Sequence, residues 1–302
     1  MVAVELQAED LLVWRRRQLQ VMGGHAADLD WLLDLEAGLA WPDLQALRLH
    51  PERQVALRCS LRHLEDLWRR HRQEDVPLQY LVGRCPWRDL ELSVGPGVLI
   101  PRQETETLVD LALGLGPSAP GPRCWADLGT GSGCLAIALA RAWPEATGLA
   151  VDCSPEALQQ AKRNVQQAGV EPSLTLLQGS WWEPLRPWWG RLDLVVSNPP
   201  YIPSTVVDGL DPVVRSHEPR LALDGGNDGL DGLRALLAGA LTALAPGGWL
   251  LVEHHHDQSA AVMDLYRTAG LEQVQAHPDL EGRRRFVIGQ RPQGACSTPS
   301  TP

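Results

Sequence analysis

Two stretches of this chain hold residues whose types and spacing could do chemistry. In the first, Asp127-Leu128-Gly129-Thr130-Gly131-Ser132-Gly133 joins a short apolar run to a helix-like segment. Glycines at such a junction let the backbone turn tightly and come close to a ligand. Asp152 ends the next apolar run, 19 residues after Gly133, where a carboxylate can accept hydrogen bonds from both hydroxyls of a ribose. Together these residues suggest a nucleoside site. The glycines alone do not name the ligand, because Gly131, Gly133 and Ala136 also fit the dinucleotide pattern in a shifted register. Asp127 tips the balance: its charge would repel a pyrophosphate and attract the ammonium of a methionine-like cofactor.

The second stretch, Ser197-Asn198-Pro199-Pro200-Tyr201, follows the apolar run Leu192 to Val196, and Asn198 lies 67 residues after Gly131. In open parallel sheets, ligands bind beyond the carboxyl ends of the strands, which is where this loop falls. Its residues suit a planar amide or exocyclic amine, whose delocalised lone pair makes it a poor nucleophile. Asn198 can offer its side-chain oxygen to one N–H, and the Pro199 carbonyl can accept the other. The lone-pair face then turns toward an electrophilic methyl group. Consecutive prolines stiffen the loop, and Tyr201 can lie flat against the planar group. No general base is needed before attack, since the proton leaves once the methylated nitrogen has become acidic.

The elements that must position these loops follow from hydrophobic spacing. Residues 1–74 read as helices only. Leu29, Leu32, Leu33 and Leu39 share one face, as do Leu57, Leu61, Leu64 and Trp68 in a segment opened by Pro51. A helical bundle of that size is marginal alone. Residues 75–101 carry Pro77, Gly83, Pro86, Gly95, Pro96, Gly97 and Pro101, which break any helix. The alternation at Leu90, Leu92 and Val94 predicts a β-hairpin linker. Over 102–290, strands around 124–127, 148–152, 174–178, 192–197, 249–253 and 285–289 alternate with helices. The strongest helix runs from Leu233 to Leu244, ended by Pro246-Gly247-Gly248. The fold class is α/β and Rossmann-like, a mainly parallel sheet wrapped on both faces. Gly116–Pro122 reads as a loop, and the polar residues 291–302 as a disordered tail.

Composition excludes several classes. The formal net charge is −10, which argues against direct nucleic-acid binding, because gripping phosphates needs a basic face. Arg15-Arg16-Arg17 and Arg283-Arg284-Arg285 read as solvated faces. The six cysteines form no C-x-x-C pair, which suggests neither zinc nor redox chemistry and fits a reducing cytosol. Glu5, Glu9, Asp10 and the arginines at 15–17 interrupt any signal-peptide core, and no apolar run of about 18 residues is present to span a membrane. His254-His255-His256 lie consecutively at a strand end, where side chains alternate, so no metal is expected. Trp181-Trp182 and Trp188-Trp189 could stack on bases, but packing is the simpler role for three of them. With twelve tryptophans and a single phenylalanine, tryptophan must fill aromatic core positions.

Three further blocks complete a pattern over nearly the whole chain. They are Pro77-Leu78-Gln79-Tyr80-Leu81-Val82-Gly83, the run Pro96 to Arg102 leading into Glu104-Thr105-Glu106, and Glu218-Pro219-Arg220-Leu221-Ala222-Leu223. With the glycine loop and Asn198-Pro199-Pro200-Tyr201, the pattern resembles the release-factor glutamine methyltransferases, the PrmC/HemK family. The resemblance implies an N-terminal helical domain, 1–74, that helps dock the release factor, and a seven-stranded methyltransferase domain, 102–290. It implies S-adenosyl-L-methionine as cofactor, held by Gly129, Thr130, Gly131, Ser132, Gly133, Asp152, Trp181 and Asn198, with Asp127 as the partner of the ammonium. The implied acceptor is the glutamine in the Gly-Gly-Gln loop of class I peptide chain release factors. Asn198, Pro199, Pro200 and Tyr201 would hold it, with Asn198, Pro199 and Tyr201 as the catalytic set. Glu104 and Glu106 could be helix-start carboxylates; the resemblance makes them candidates for the lip of the site. The chain departs from the family pattern at Trp87, Gln103, Ser180 and His217. Rival functions are glutamine methylation of a ribosomal protein, amino methylation of nucleic acid, and nucleoside binding without catalysis. A cytoplasmic protein with no membrane contact is expected.

Overall fold

The computed structural model describes residues 4–115 and 121–293. Residues 116–120 of the expected loop and 294–302 of the expected tail lie outside the described residues. The chain divides into two compact units, Met1–Arg84 with Asp211–His217, and Cys85–Leu210 with Glu218–Pro302.

In the first unit, β1 (Val4–Gln7) leads into α1 (Ala8–Met22) and α2 (Ala26–Leu32). A π-helical turn, Leu33–Ala37, follows, then α3 (Trp41–Leu49), β2 (Gln54–Leu57), α4 (Leu61–Gln73) and α5 (Leu78–Val82). The expectation of helices only is corrected here: β1 and β2 pair antiparallel, Val4 opposite Leu57. Both strands are four residues long and alternate more buried with exposed residues, a period of two that is easily lost between long helices. Leu57 therefore belongs to a strand, and α4 opens later, where Ser60 Oγ accepts from His63 N at 3.2 Å. Another correction falls in the linker. Pro77 and Gly83 bound the one-turn helix α5 rather than prevent it, with Gly83 taking the left-handed conformation at its end. Arg15 is not solvated either: it is buried, and its Nη2 donates to Asp30 Oδ2 at 2.9 Å. Leu29, Leu32, Leu33, Leu44, Leu57, Leu64 and Trp68 form the core of this unit.

In the second unit, the hairpin β3 (Arg84–Trp87) and β4 (Leu90–Ser93) precedes α6 (Glu106–Gly114). Then come β5 (Cys124–Leu128), α7 (Cys134–Ala142), β6 (Thr147–Asp152), α8 (Pro155–Ala168), β7 (Leu174–Gln178) and β8 (Leu192–Ser197). Three one-turn helices follow, α9 (Ser204–Val207), α10 (Pro212–Arg215) and α11 (Arg220–Leu223); α10 clusters with the first unit. The chain ends with α12 (Asp231–Ala243), β9 (Leu244–Glu253), α13 (Ser259–Thr268), β10 (Glu272–Pro278) and β11 (Arg284–Gln290). Seven strands form one sheet in the order β10-β11-β9-β8-β5-β6-β7. The five from β9 to β7 run parallel, and β11 pairs antiparallel with both β9 and β10. Strand β10 escapes the hydrophobic pattern because it is a polar edge, Glu-Gln-Val-Gln-Ala-His-Pro, with no fully buried residue.

The central strands are apolar on both faces, as a covered parallel sheet requires. Trp125, Leu194, Val196 and Leu251 pack into one core, and Ala126, Val195, Leu250 and Val252 into another. Tryptophan fits because glycine makes room. Trp125 lies opposite Gly148 across β5 and β6, where an added Cβ would sit 2.4 Å from the indole. Trp182 packs on Gly239 in the same way and donates its Nε1–H to Leu236 O at 2.9 Å. Trp87, where the family usually has a smaller aromatic ring, is fully buried and donates Nε1–H to Arg102 O at 2.8 Å.

Candidate active site

The chain runs from β5 to β6 on one side and reaches β8 on the other, so the carboxyl ends of these strands open into a crevice at the switch point. A cavity of about 270 Å³ lies there. Its walls include Gly129, Thr130, Gly131, Ser132, Asp152, Ser180, Trp181, Asn198 and Pro200, with Val98, Leu99, Arg102 and Thr105 from the segment leading to α6. Asp127, Gly133, Pro199 and Tyr201 do not line it; Asp127 is bonded to Thr130, which does, and the other three adjoin lining residues in the chain.

The glycine loop leaves β5 with Gly129 and Gly131 at φ of +77° and +56°. No atom lies within 4 Å of where a Cβ on Gly131 would stand, so a ligand can approach the backbone closely at that point. Asp152 is fixed by two backbone donors: Gly131 N to Oδ2 and Ser154 N to Oδ1, each 2.9 Å. Burial pushes its pKa up, against the pull of the N–H groups of Ser154, Gly131 and Cys153. Each oxygen keeps a lone pair for a further donor. Ser154 in turn caps α8, accepting from Ala157 N at 3.1 Å, with Pro155 in the first turn. Asp127 is fully buried; Oδ2 accepts from Thr130 Oγ1 at 2.7 Å, while Oδ1 has no hydrogen-bond partner. Burial raises its pKa to about 7; the Asp152 charge adds to this, and the Thr130 hydroxyl and Ala136 N–H oppose it. Trp181 sits in the wall at φ +46°, a backbone state that non-glycine residues adopt at a cost and that gathers at ligand sites.

At the other end, Ser197 Oγ donates to Leu128 O at 2.6 Å, tying the end of β8 to β5. Asn198 follows, half-buried, and its Nδ2 donates to Thr105 Oγ1 at 3.0 Å. Pro199 is buried with its ring against Gly232, where an added Cβ would stand 3.2 Å away. The Tyr201 carbonyl accepts from Gln258 Nε2 at 2.9 Å, and its hydroxyl donates to Glu253 Oε1 at 3.1 Å. Burial and the Glu253 charge lift the phenol well above its ordinary range. Glu253 is itself fully buried, and burial raises it to about 7 against the pull of Thr105, Tyr201 and Arg285. Glu218 is buried and fastens the wall before α6, accepting from Arg102 Nη2 at 2.7 Å and Ile100 N at 3.2 Å. The three histidines do not gather at one point: His254 is buried with Nδ1 on His255 O, while the His255 ring turns to Asp257 and lies 4.2 Å, centroid to centroid, from that of His256. Arg285 is not a solvated residue, because its Nε donates to the buried Asp279 at 2.7 Å.

Residues 118–210 match the methyltransferase small domain family. A release factor glutamine methyltransferase from Prochlorococcus marinus is 51% identical over 288 residues, covering 94% of this chain and 97% of that protein. The chain belongs to the release factor glutamine methyltransferase family. A further member, from Geobacter sulfurreducens, is 40% identical over 285 residues, covering 93% of this chain and 95% of its own. The crystal structure of a methyltransferase from Pyrococcus furiosus, 17% identical, shares the fold with a TM-score of 0.50 over 68% of this chain and 90% of that one.

Around the Asn198 loop, the structure brings in side chains that motif spacing does not single out. In the Glu104-Thr105-Glu106 block it is the central threonine, buried, that reaches Asn198. Glu104 is exposed, and Glu106 Oε1 accepts from Arg88 N on the β3–β4 hairpin. Glu253 had one visible signal in the sequence: a lone carboxylate closing the apolar run Leu250-Leu251-Val252. Gln258 had none.

Proposed function

We propose that this chain transfers a methyl group from S-adenosyl-L-methionine to the side-chain amide nitrogen of the glutamine in the Gly-Gly-Gln loop of class I peptide chain release factors. One observation carries the proposal. Asn198 spends its Nδ2 on Thr105, which leaves Oδ1 as the atom that can meet a substrate N–H. An amide nitrogen brings two N–H donors and needs acceptors. The protein substrate follows from the names of relatives that match nearly the whole chain.

The cavity residues fit the cofactor, with Asp127 bonded to Thr130 of the wall. A cationic amino group suits Asp127 Oδ1, a buried carboxylate oxygen without a partner. Asp152, held by Gly131 and Ser154, keeps lone pairs for two ribose hydroxyls. Gly131 leaves room for close approach to the loop, and Trp181 offers a flat wall for a base. When bound, S-adenosyl-L-methionine supplies an electrophilic methyl group. The chain's own part is placement. Asn198 Oδ1 and the Pro199 carbonyl accept hydrogen bonds from the two amide N–H groups, Pro199 and Pro200 stiffen the loop, and the Tyr201 ring fixes the amide plane. The excess proton leaves the nitrogen after transfer. We further propose that residues 1–74 serve docking of the release factor, that the protein acts in the cytoplasm, and that it makes no direct nucleic-acid contact. Among the described residues, no helix is long and apolar enough to cross a membrane.

Single-turnover methyl transfer tests the assignment with three acceptors: a Gly-Gly-Gln release factor, its Gln→Asn variant and an adenine-containing oligonucleotide. Transfer to the first alone is expected. Transfer to the oligonucleotide with an untouched release factor would contradict it.

A further inference from the structure

Behind the acceptor loop, four side chains from distant parts of the chain form one polar relay. Glu253 Oε2 accepts from Thr105 Oγ1 at 2.6 Å, and Oε1 accepts from Tyr201 OH at 3.1 Å. Thr105 Oγ1 also lies 3.0 Å from Asn198 Nδ2. With Glu253 ionised, the direction of each bond is forced. An ionised carboxylate accepts hydrogen bonds and donates none, so both hydroxyls must point their single proton at Glu253. Thr105 then has only lone pairs left for Asn198. The Asn198 amide must turn its NH2 to Thr105 and its Oδ1 the other way. The reversed amide would set two acceptors against each other in a buried place, which is penalised without water.

We propose that Glu253 and Thr105 are positioning residues that fix the polarity of the Asn198 amide, so that the site selects a side chain bringing N–H donors, glutamine, over its isosteric carboxylate, glutamate. This rests on the proposed glutamine chemistry. With the relay intact, a glutamate at the acceptor position meets Asn198 Oδ1, acceptor against acceptor. Without the Thr105 hydroxyl, Asn198 can rotate and offer NH2 instead, and the discrimination narrows. Tyr201 adds a second strut, since its hydroxyl is held on the same carboxylate and its carbonyl on Gln258.

Thr105→Val removes the hydroxyl while keeping the shape. Thr105 makes no side-chain capping bond to α6, so the helix does not depend on it. The full-length protein is compared with Thr105→Val, Thr105→Ser and Glu253→Gln in three measurements: single-turnover transfer to a Gly-Gly-Gln release factor, calorimetric binding of S-adenosylhomocysteine, and inhibition by the Gly-Gly-Glu release factor. Thr105→Val should slow transfer by roughly tenfold to 10²-fold, the scale of a misplaced polar contact at a reacting centre. Its affinity for S-adenosylhomocysteine should hold, and the Gly-Gly-Glu protein should become a relatively better competitor. Thr105→Ser should recover most of the rate and the discrimination, and Glu253→Gln should fall between. If the wild-type protein methylates the glutamine and Thr105→Val does so equally fast, the positioning role is wrong. Equal weakening of Gln and Glu binding without rescue by serine would also overturn it, as the mark of mere structural damage. If the wild-type protein leaves the glutamine untouched, the chemistry beneath the inference falls instead.

Discussion

The two ends of the cavity are built in different ways. The proposed cofactor end is made from a contiguous loop, 127–133, and one carboxylate, Asp152, fixed by backbone N–H groups. The proposed acceptor end is assembled from side chains far apart in sequence: Thr105 and Asn198 are 93 residues apart, Thr105 and Glu253 148, Tyr201 and Glu253 52. The loop keeps its geometry when a residue of the other end changes, whereas a relay of side chains fails when one member changes. Substitutions in the relay are therefore expected to impair transfer and to spare cofactor binding.

The largest expected effect is at Asn198. Asn198→Ala removes the acceptor for one amide N–H, so single-turnover transfer should fall by roughly 10²–10³. Affinity for S-adenosylhomocysteine should fall far less, because Gly129 to Gly133 and Asp152 remain. Comparable losses in both would erase the contrast between the two ends.

Asp152→Ala should do the reverse. It removes an acceptor for two ribose hydroxyls, and hydrogen bonds to charged groups contribute about 1.5–3 kcal/mol each. Calorimetry should show cofactor affinity reduced by at least about tenfold, with acceptor binding retained. Unchanged affinity would remove Asp152 from the ribose site.

A pH profile separates the ends further. Glu253 must be ionised to accept from both hydroxyls, and burial places its pKa at about 7. Transfer should decline as pH falls through that value, because the protonated carboxyl no longer forces the direction of the relay. The groups facing it are Thr105, Tyr201, Glu104, Arg285 and the Cys134 thiol. Asp127 has a similar pKa but acts at the cofactor end, so its protonation should appear in cofactor affinity. The decline in transfer at saturating cofactor should flatten in Glu253→Gln; an identical acid limb there would assign it elsewhere.

The smallest effect is expected at Glu106. Its carboxylate caps Arg88 N in the hairpin, so Glu106→Gln should leave transfer within about twofold and stability within about 0.5 kcal/mol, the usual range for surface changes. A large loss of rate would restore it to the lip of the site.

The same contrast governs what the sequence could reveal. The glycine loop, Asp152 and the Asn198 loop are short runs whose spacing is visible without a fold. The alternation of strand and helix gives six of the seven sheet strands, and β10 is hidden because an edge strand can be polar. Strands β1 and β2 are hidden by their length of four residues among helices. Thr105 lay between two more conspicuous glutamates, and only the fold shows which of the three is buried. Glu253 becomes meaningful once β9 is seen beside β8, Val252 opposite Ser197, which brings the two strand ends together. The tryptophan bias gains a partial account only in three dimensions, where Gly148 and Gly239 supply the space that the indoles occupy.

The central claim is that the acceptor is a glutamine amide in a release factor. The most direct measurement is mass spectrometry of a purified class I release factor, digested after incubation with this protein and S-adenosyl-L-methionine. The prediction is a mass gain of one methylene on the glutamine of the Gly-Gly-Gln peptide, absent when Asn198→Ala replaces the wild-type protein. An unmodified Gly-Gly-Gln peptide, with the methyl group found on another residue, on a ribosomal protein or on nucleic acid, would contradict it.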